Sequence, residues 1–176
     1  MAIGVAVASS GAYAAELEEI IVTANKRAES LQDVAISMTA ISGSKIEEVG
    51  LHSFGELSAY IPNLSITENA VNTIIGMRGV GIGANQSFEQ SVGMYIDGVY
   101  MGRRRQYRSP FVDIERVEVL RGPQGTLFGK NTVAGAINVT TASPDAGEDF
   151  NGSIAISAEE NGGKIAEGYV SGAVTD

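Results

Sequence analysis

The sequence predicts an α+β fold of short elements, followed by a β-hairpin of the membrane-barrel kind. Three observations predict it. Two capping boxes, Ser44-x-x-Glu47 and Ser53-x-x-Glu56, follow in quick succession, and Gly50 and Pro62 end the helices they start. Beyond Pro62 the chain is a series of β-prone runs punctuated by glycine. Near the C-terminus, two alternating segments each carry one apolar and one mixed face.

Composition bounds the classes. The chain has 176 residues, room for one domain with a real core and too few for two large ones. Its 22 glycines and 6% aromatics imply many turns and close backbone approach. A net charge of −9 argues against nucleic acid as a partner. With no cysteine and one histidine, disulfides, thiol chemistry and a His-based metal site are not expected. No apolar run approaches the ~18 residues of a membrane helix.

At the N-terminus, Ile3–Ala8 is short and apolar, and Ala12-Tyr13-Ala14 fits a signal-peptidase site, so residues 1–14 are expected to be an export signal. No Lys or Arg precedes Lys26, which fits a leader that starts further upstream. Glu18–Ala24 is β-prone and flanked by charge, a strand expected to be free rather than docked. Val34, Ile36 and Met38 alternate with smaller or polar neighbours as a half-buried strand does. His52, between the two short helices, is expected to be a local hydrogen-bonding residue.

Thr73–Met77 reads as a strand ending at Arg78-Gly79. Asp97-Gly98 between Val92–Ile96 and Val99–Met101 is a two-residue hairpin signal that pairs Tyr95 with Tyr100 and Ile96 with Val99. Asp97 is thus a turn residue before it is a candidate catalyst. From Glu115 the next strand puts Glu115, Val117, Val119 and Arg121 on one face and Arg116, Glu118 and Leu120 on the other. Charges among core-type residues fit either a solvated edge strand or ions that meet charges on another element.

The stretch RGPQGTLFGKNT (residues 121–132) has the look of a phosphate loop and fails as one. The required first glycine falls on Gln124, Asn131 replaces the hydroxyl residue, and the strand-like Ala134–Thr141 follows where a helix should begin. After a break at Pro144–Gly147, Ser153–Ala158 and Ile165–Val174 alternate, the second placing Ala166, Gly168, Val170, Gly172 and Val174 on one face. One hairpin cannot close a barrel.

In this order, these pieces resemble the N-terminal plug region of TonB-dependent outer-membrane receptors. Residues 113–141 carry the most specific part. Leu31–Ser37, Tyr60–Leu64, Met77–Gly81 and Val92–Gly102 also match, with Ala35 where relatives usually have proline and Val133 where they often have alanine or glycine. The resemblance implies a small mixed β-sheet plug with short helices, held in a barrel of about 22 strands and followed here by an incomplete transmembrane hairpin. The expected layout is a signal at 1–14, a TonB box and flexible segment at 15–30, the plug at 31–148, and the first barrel hairpin at 149–176.

The same resemblance implies the function: the gate of an outer-membrane active transporter for a large solute, a ferric siderophore by first choice, energised through TonB. The alternative is a free-standing periplasmic plug-like binding module. Glu19, Ile20, Ile21, Val22, Thr23 and Ala24 would be the TonB box, adding a strand to the C-terminal domain of TonB, with ExbB and ExbD behind it. Arg78 and Arg121, with Glu115 and Glu118, would make ion pairs with the receptor's own barrel. Gln86, Phe88, Arg103, Arg104 and Tyr107, on apical loops 67–72, 84–91 and 102–107, would contact the ligand. The glycines of 121–135 would serve tight turns packed on the barrel wall, with Lys130 solvated or wall-facing. No catalytic residue, cofactor or metal is implied.

Overall fold

The computed structural model describes residues 20–23, 26–70, 72–83, 89–108, 111, 113–142, 151–158 and 163–172. The expected export signal, Glu19, Ala24, Gln86 and Phe88 lie outside them.

The elements run β1 (Ile21–Val22), β2 (Glu29–Ser30), β3 (Met38–Ser42), α1 (Gly43–Glu48), α2 (Phe54–Leu57), β4 (Leu64–Glu68), β5 (Thr73–Met77), β6 (Val80–Gly81), β7 (Val92–Ile96) and β8 (Val99–Tyr100). A 3-10 turn (Arg104–Arg108), β9 (Ile114–Arg121), α3 (Gly125–Phe128), β10 (Gly135–Thr141), β11 (Asn151–Ala158) and β12 (Lys164–Ser171) complete them. The mixed α+β architecture predicted from the sequence is the one found.

The centre is a five-stranded sheet in the order β3-β9-β10-β7-β8. Its neighbours are antiparallel except β10 and β7, which run parallel. β9 therefore lies inside the sheet, flanked by β3 and β10, which removes the edge-strand explanation of its charges. β4, β5 and β6 form a separate three-stranded sheet, and β1 pairs with β2.

Alternation along β9 divides the interior in two. Val117 and Val119 face a main core with Ile137 and Val139 of β10, Val92 and Met94 of β7, and Phe54 and Leu57 of α2. In that core Phe54 and Phe111 meet edge to face, centroids 4.6 Å apart. Leu120 turns to the opposite face, where Val22, Val34, Tyr95 and Ala136 form a second cluster. The segment before β3 covers this face. Val34, Ile36 and Met38 all pack there, as their alternation predicts, but the paired strand begins only at Met38.

Both short helices exist, with caps that differ from the predicted ones. Ser42, not Ser44, caps α1, accepting from the Lys45 N–H. The helix starts directly off β3 because Gly43 lies against β9: a Cβ there would be 2.0 Å from the Ile114 carbonyl oxygen. Ser53 makes no side-chain cap bond at α2, and Glu56 reaches one residue further back, to the His52 N–H at 2.7 Å.

The Asp97-Gly98 hairpin has the predicted register, Tyr95 opposite Tyr100 and Ile96 opposite Val99. Both turn residues have positive φ, 49° and 78°. Arg78-Gly79 is a second turn of this kind (52° and 76°), joining β5 to β6 where the sequence reading saw only a strand end. β11 and β12 pair antiparallel from Asn151 with Ser171 to Ala158 with Lys164. Ile154, Ile156 and Val170 on one face are strongly exposed, so that apolar face is uncovered by the described chain.

Candidate functional site

The N-terminal segment is docked, contrary to the expectation of a free strand. β1 pairs with β2, Ile21 opposite Ser30 and Val22 opposite Glu29. Val22 is fully buried in the second cluster. Next to it, the Thr23 N–H donates to Glu118 Oε1 at 2.7 Å, and the Thr23 hydroxyl donates to the same carboxylate at 3.1 and 3.3 Å.

Glu118 belongs to a row across the sheet, Tyr95, Asn138, Glu118 and Ala40, set by the registers of β7, β10, β9 and β3. Its side chain has 0% exposure. A carboxylate so buried needs compensation. Arg116 Nε supplies it at 2.9 Å, and Asn138 Nδ2 donates at 3.3 Å while also reaching the Thr23 hydroxyl at 3.2 Å. Arg116 also pairs with the half-exposed Glu115. Within the described chain, then, Glu115 and Glu118 share one intramolecular arginine.

Arg78 and Arg121 form another group. Arg78, on the β5–β6 turn, donates to Ser37 Oγ at 2.7 Å. Arg121, at the end of β9, approaches the same oxygen at 3.4 Å, bonds Thr39 Oγ1, and donates its backbone N–H to the Ser37 carbonyl at 2.9 Å. Neither guanidinium pairs with a carboxylate among the described residues. Arg121 Nε is buried and has no hydrogen-bond partner among them.

Described residues in or beside the three loops singled out from the sequence meet at Thr73. The Arg108 guanidinium holds the Asn69 and Asn72 carbonyls and the Thr73 hydroxyl, and Gln90 Nε2 donates to the Thr73 carbonyl at 2.9 Å. Tyr107 is fully buried and its hydroxyl donates to the Met101 carbonyl at 3.1 Å. Burial raises its pKa, Tyr100 adds to the rise, and Arg104 opposes it. Arg104 is also buried, whereas Arg103 and Arg105 are exposed.

The stretch 121–132 is held by the chain itself. The Tyr95 hydroxyl donates to the Phe128 carbonyl, their rings pack at 5.1 Å, and Asn131 donates to the Tyr100 hydroxyl at 2.7 Å. Gly135 sits where a Cβ would meet Leu120 O and Met77 Sδ at 2.4 Å, so its role is internal packing. Lys130 is exposed and pairs with Glu89 at 3.1 Å, and that hydrogen bond lowers the pKa of Glu89. Among the described residues no group of His, Cys, Asp and Glu could hold a metal ion.

Sequence spacing could not reveal the Thr23–Glu118 contact, which joins positions 95 residues apart. The available signal was a glutamate at a position whose strand neighbours are core residues.

Comparison with known proteins gives this geometry a context. The family model of the TonB-dependent receptor plug domain matches residues 30–136. The pesticin receptor of Yersinia pestis is 35% identical over 130 residues, 72% of this chain and 19% of the receptor. The vitamin B12 transporter BtuB of Vibrio vulnificus is 32% identical over 138 residues, 74% of this chain and 22% of the transporter. The crystal structure of the ferric yersiniabactin uptake receptor FyuA from Yersinia pestis matches with a TM-score of 0.73 at 29% identity, over 80% of this chain and 22% of that one. The chain thus spans about a fifth of the length of these relatives.

Proposed function

This chain belongs to the TonB-dependent receptor plug domain family, and from that premise we propose that it is the gate of an outer-membrane active transporter. The cargo is a large solute, a ferric siderophore by first choice, and the energy arrives through the C-terminal domain of TonB with ExbB and ExbD behind it. The proposed layout is an export signal at 1–14, the TonB box and its flanks at 15–30, the plug at 31–148 and the first wall hairpin at 149–176.

The observation that carries this reading is the short extended segment Ile20–Thr23, attached to the central sheet by the buried Val22 and by the hydrogen bonds of Thr23 with Glu118 and Asn138. Such a segment can detach and add as a strand to another sheet, gripping through main-chain hydrogen bonds whatever its side chains. A pull on it then reaches β9, an interior strand.

Arg78 and Arg121 supply the contact to the receptor's own barrel, where wall carboxylates complete their charge. Individually such contacts in a wet lumen are modest, on the order of 0–1 kcal/mol, which suits a gate that must open. On the ligand side, Arg103 with its exposed neighbour Arg105 offers the positive charge that an anionic chelate would meet, while Arg104 and Tyr107 shape the loop. The relatives are receptors and transporters, and we assign no catalytic step to this chain.

Uptake of a ferric siderophore by the intact receptor tests the reading. Ile21→Pro or Val22→Pro removes a ladder donor and should abolish uptake while leaving the receptor in the membrane. Undiminished uptake in both variants would overturn it.

A further inference from the structure

Thr73, at the start of β5, is fully buried and bonded on two sides. Its carbonyl accepts from Gln90 Nε2 at 2.9 Å, and its hydroxyl accepts from Arg108 Nε at 3.3 Å. The same guanidinium donates to the Asn69 carbonyl and, at 3.1 Å, to the Asn72 carbonyl. Arg108 thus ties the end of the 3-10 turn to the β4–β5 turn through three acceptors, all of them neutral. The β4–β5 turn keeps its shape by other means. The Asn69 N–H donates to the Asn72 carbonyl and the Asn72 N–H to Asn69 Oδ1, each at 2.9 Å. What Arg108 adds is the placement of that turn against Arg104–Arg108. The exposed Arg105 lies three residues before Arg108, one full turn of a 3-10 helix.

We propose that Arg108 is a positioning residue for ligand recognition, fixing the spacing between the β4–β5 turn and the exposed arginines without contacting the ligand itself. This rests on the reading above, in which these loops meet an anionic chelate. A guanidinium suits the task because its planar fork presents five N–H donors at fixed angles, enough for three separate acceptors. A lysine brings the same charge on one nitrogen at the end of a flexible stem and lacks that fork. Without the tie, ordering the loops becomes part of the cost of binding. Only receptors whose loops are in place bind, and the apparent affinity falls by that fraction. Steps after binding are unaffected, so the loss appears in KM.

The test measures uptake by the intact receptor, with Arg108→Lys, Arg108→Gln and, as a destabilised control away from the loops, Gly135→Ala. The probes are a trianionic ferric tris-catecholate and a neutral ferric tris-hydroxamate. A spin label reports on the loop directly. The chain has no cysteine, so Ala70→Cys gives it a single labelling site on an exposed residue of the β4–β5 turn.

Both Arg108 variants should raise the label's mobility. Each should raise KM roughly tenfold for whichever chelate the parent carries, as when about a tenth of the receptors have their loops in place. The maximal rate should be unchanged, and Gly135→Ala should keep the parent's KM. A parent-like KM in Arg108→Lys would overturn the positioning role and leave the gate standing, because charge alone would then suffice. An unchanged label mobility in both Arg108 variants would overturn it as well. If the parent carries neither chelate, the cargo reading fails and this inference fails with it.

Discussion

Arg78 and Arg121 direct their guanidinium groups at the same oxygen, the hydroxyl of Ser37, at 2.7 and 3.4 Å. They arrive from different sheets, one on the turn of the three-stranded sheet and one at the end of β9. Two cations sharing a neutral hydroxyl, with no carboxylate on either among the described residues, leave positive charge to be met by another surface. Arg121→Ala should therefore increase passive leak of small solutes through the intact receptor while barely moving the unfolding temperature of the chain. A leak equal to that of the parent receptor would count against a barrel contact at this site.

Gly135 tests the internal packing of the 121–135 region. An added methyl would sit 2.4 Å from both the Leu120 carbonyl oxygen and Met77 Sδ, one of them backbone that has no easy retreat. Gly135→Ala should cost about 1–3 kcal/mol, as overpacking of a filled interior does. Chemical denaturation of the chain measures it, and a loss well under 1 kcal/mol would show that the strands separate more easily than this packing implies.

Tyr107 gives the fold an alkaline limit. Burial raises its pKa in the folded state above the unfolded value of about 10, so its contribution to stability is fully present below that pH. Above it, the unfolded chain releases a proton that the folded chain retains, and stability declines as pH rises. Tyr107→Phe should be less stable than the parent near neutrality, having lost the bond to Met101 O, and should show a shallower decline above pH ~10. Parallel slopes for parent and variant would contradict this.

Much of the fold was legible in local chemistry. Asp97-Gly98 fixed a hairpin and its register because two positive-φ positions leave the strands one pairing. The alternation of Val117, Val119 and Leu120 divided the core correctly because β9 is buried on both faces from Val117 to Leu120. Arg78-Gly79 was missed as a hairpin because the strand beyond it, Val80–Gly81, is only two residues long. The cap of α1 was misplaced because the choice between Ser42 and Ser44 depends on where Gly43 meets β9, a contact across the fold.

The candidate site was less legible. The segment around Ile20–Thr23 was recognisable, but its attachment depends on Glu118 and Asn138, far along the chain. The buried state of Glu118 follows from β9 lying between two strands, which no local pattern states. Loop 102–107 showed its arginines in the sequence, whereas the inward turn of Arg104 and Tyr107 is set by the 3-10 turn.

The central claim is that residues 20–24 transmit force by joining the sheet of TonB. Amide hydrogen exchange across this segment, with and without a saturating amount of the TonB C-terminal domain, tests it most directly. The account predicts that the amides of Ile21 and Thr23 exchange more slowly in the complex. Identical exchange at both residues with the partner bound would contradict it.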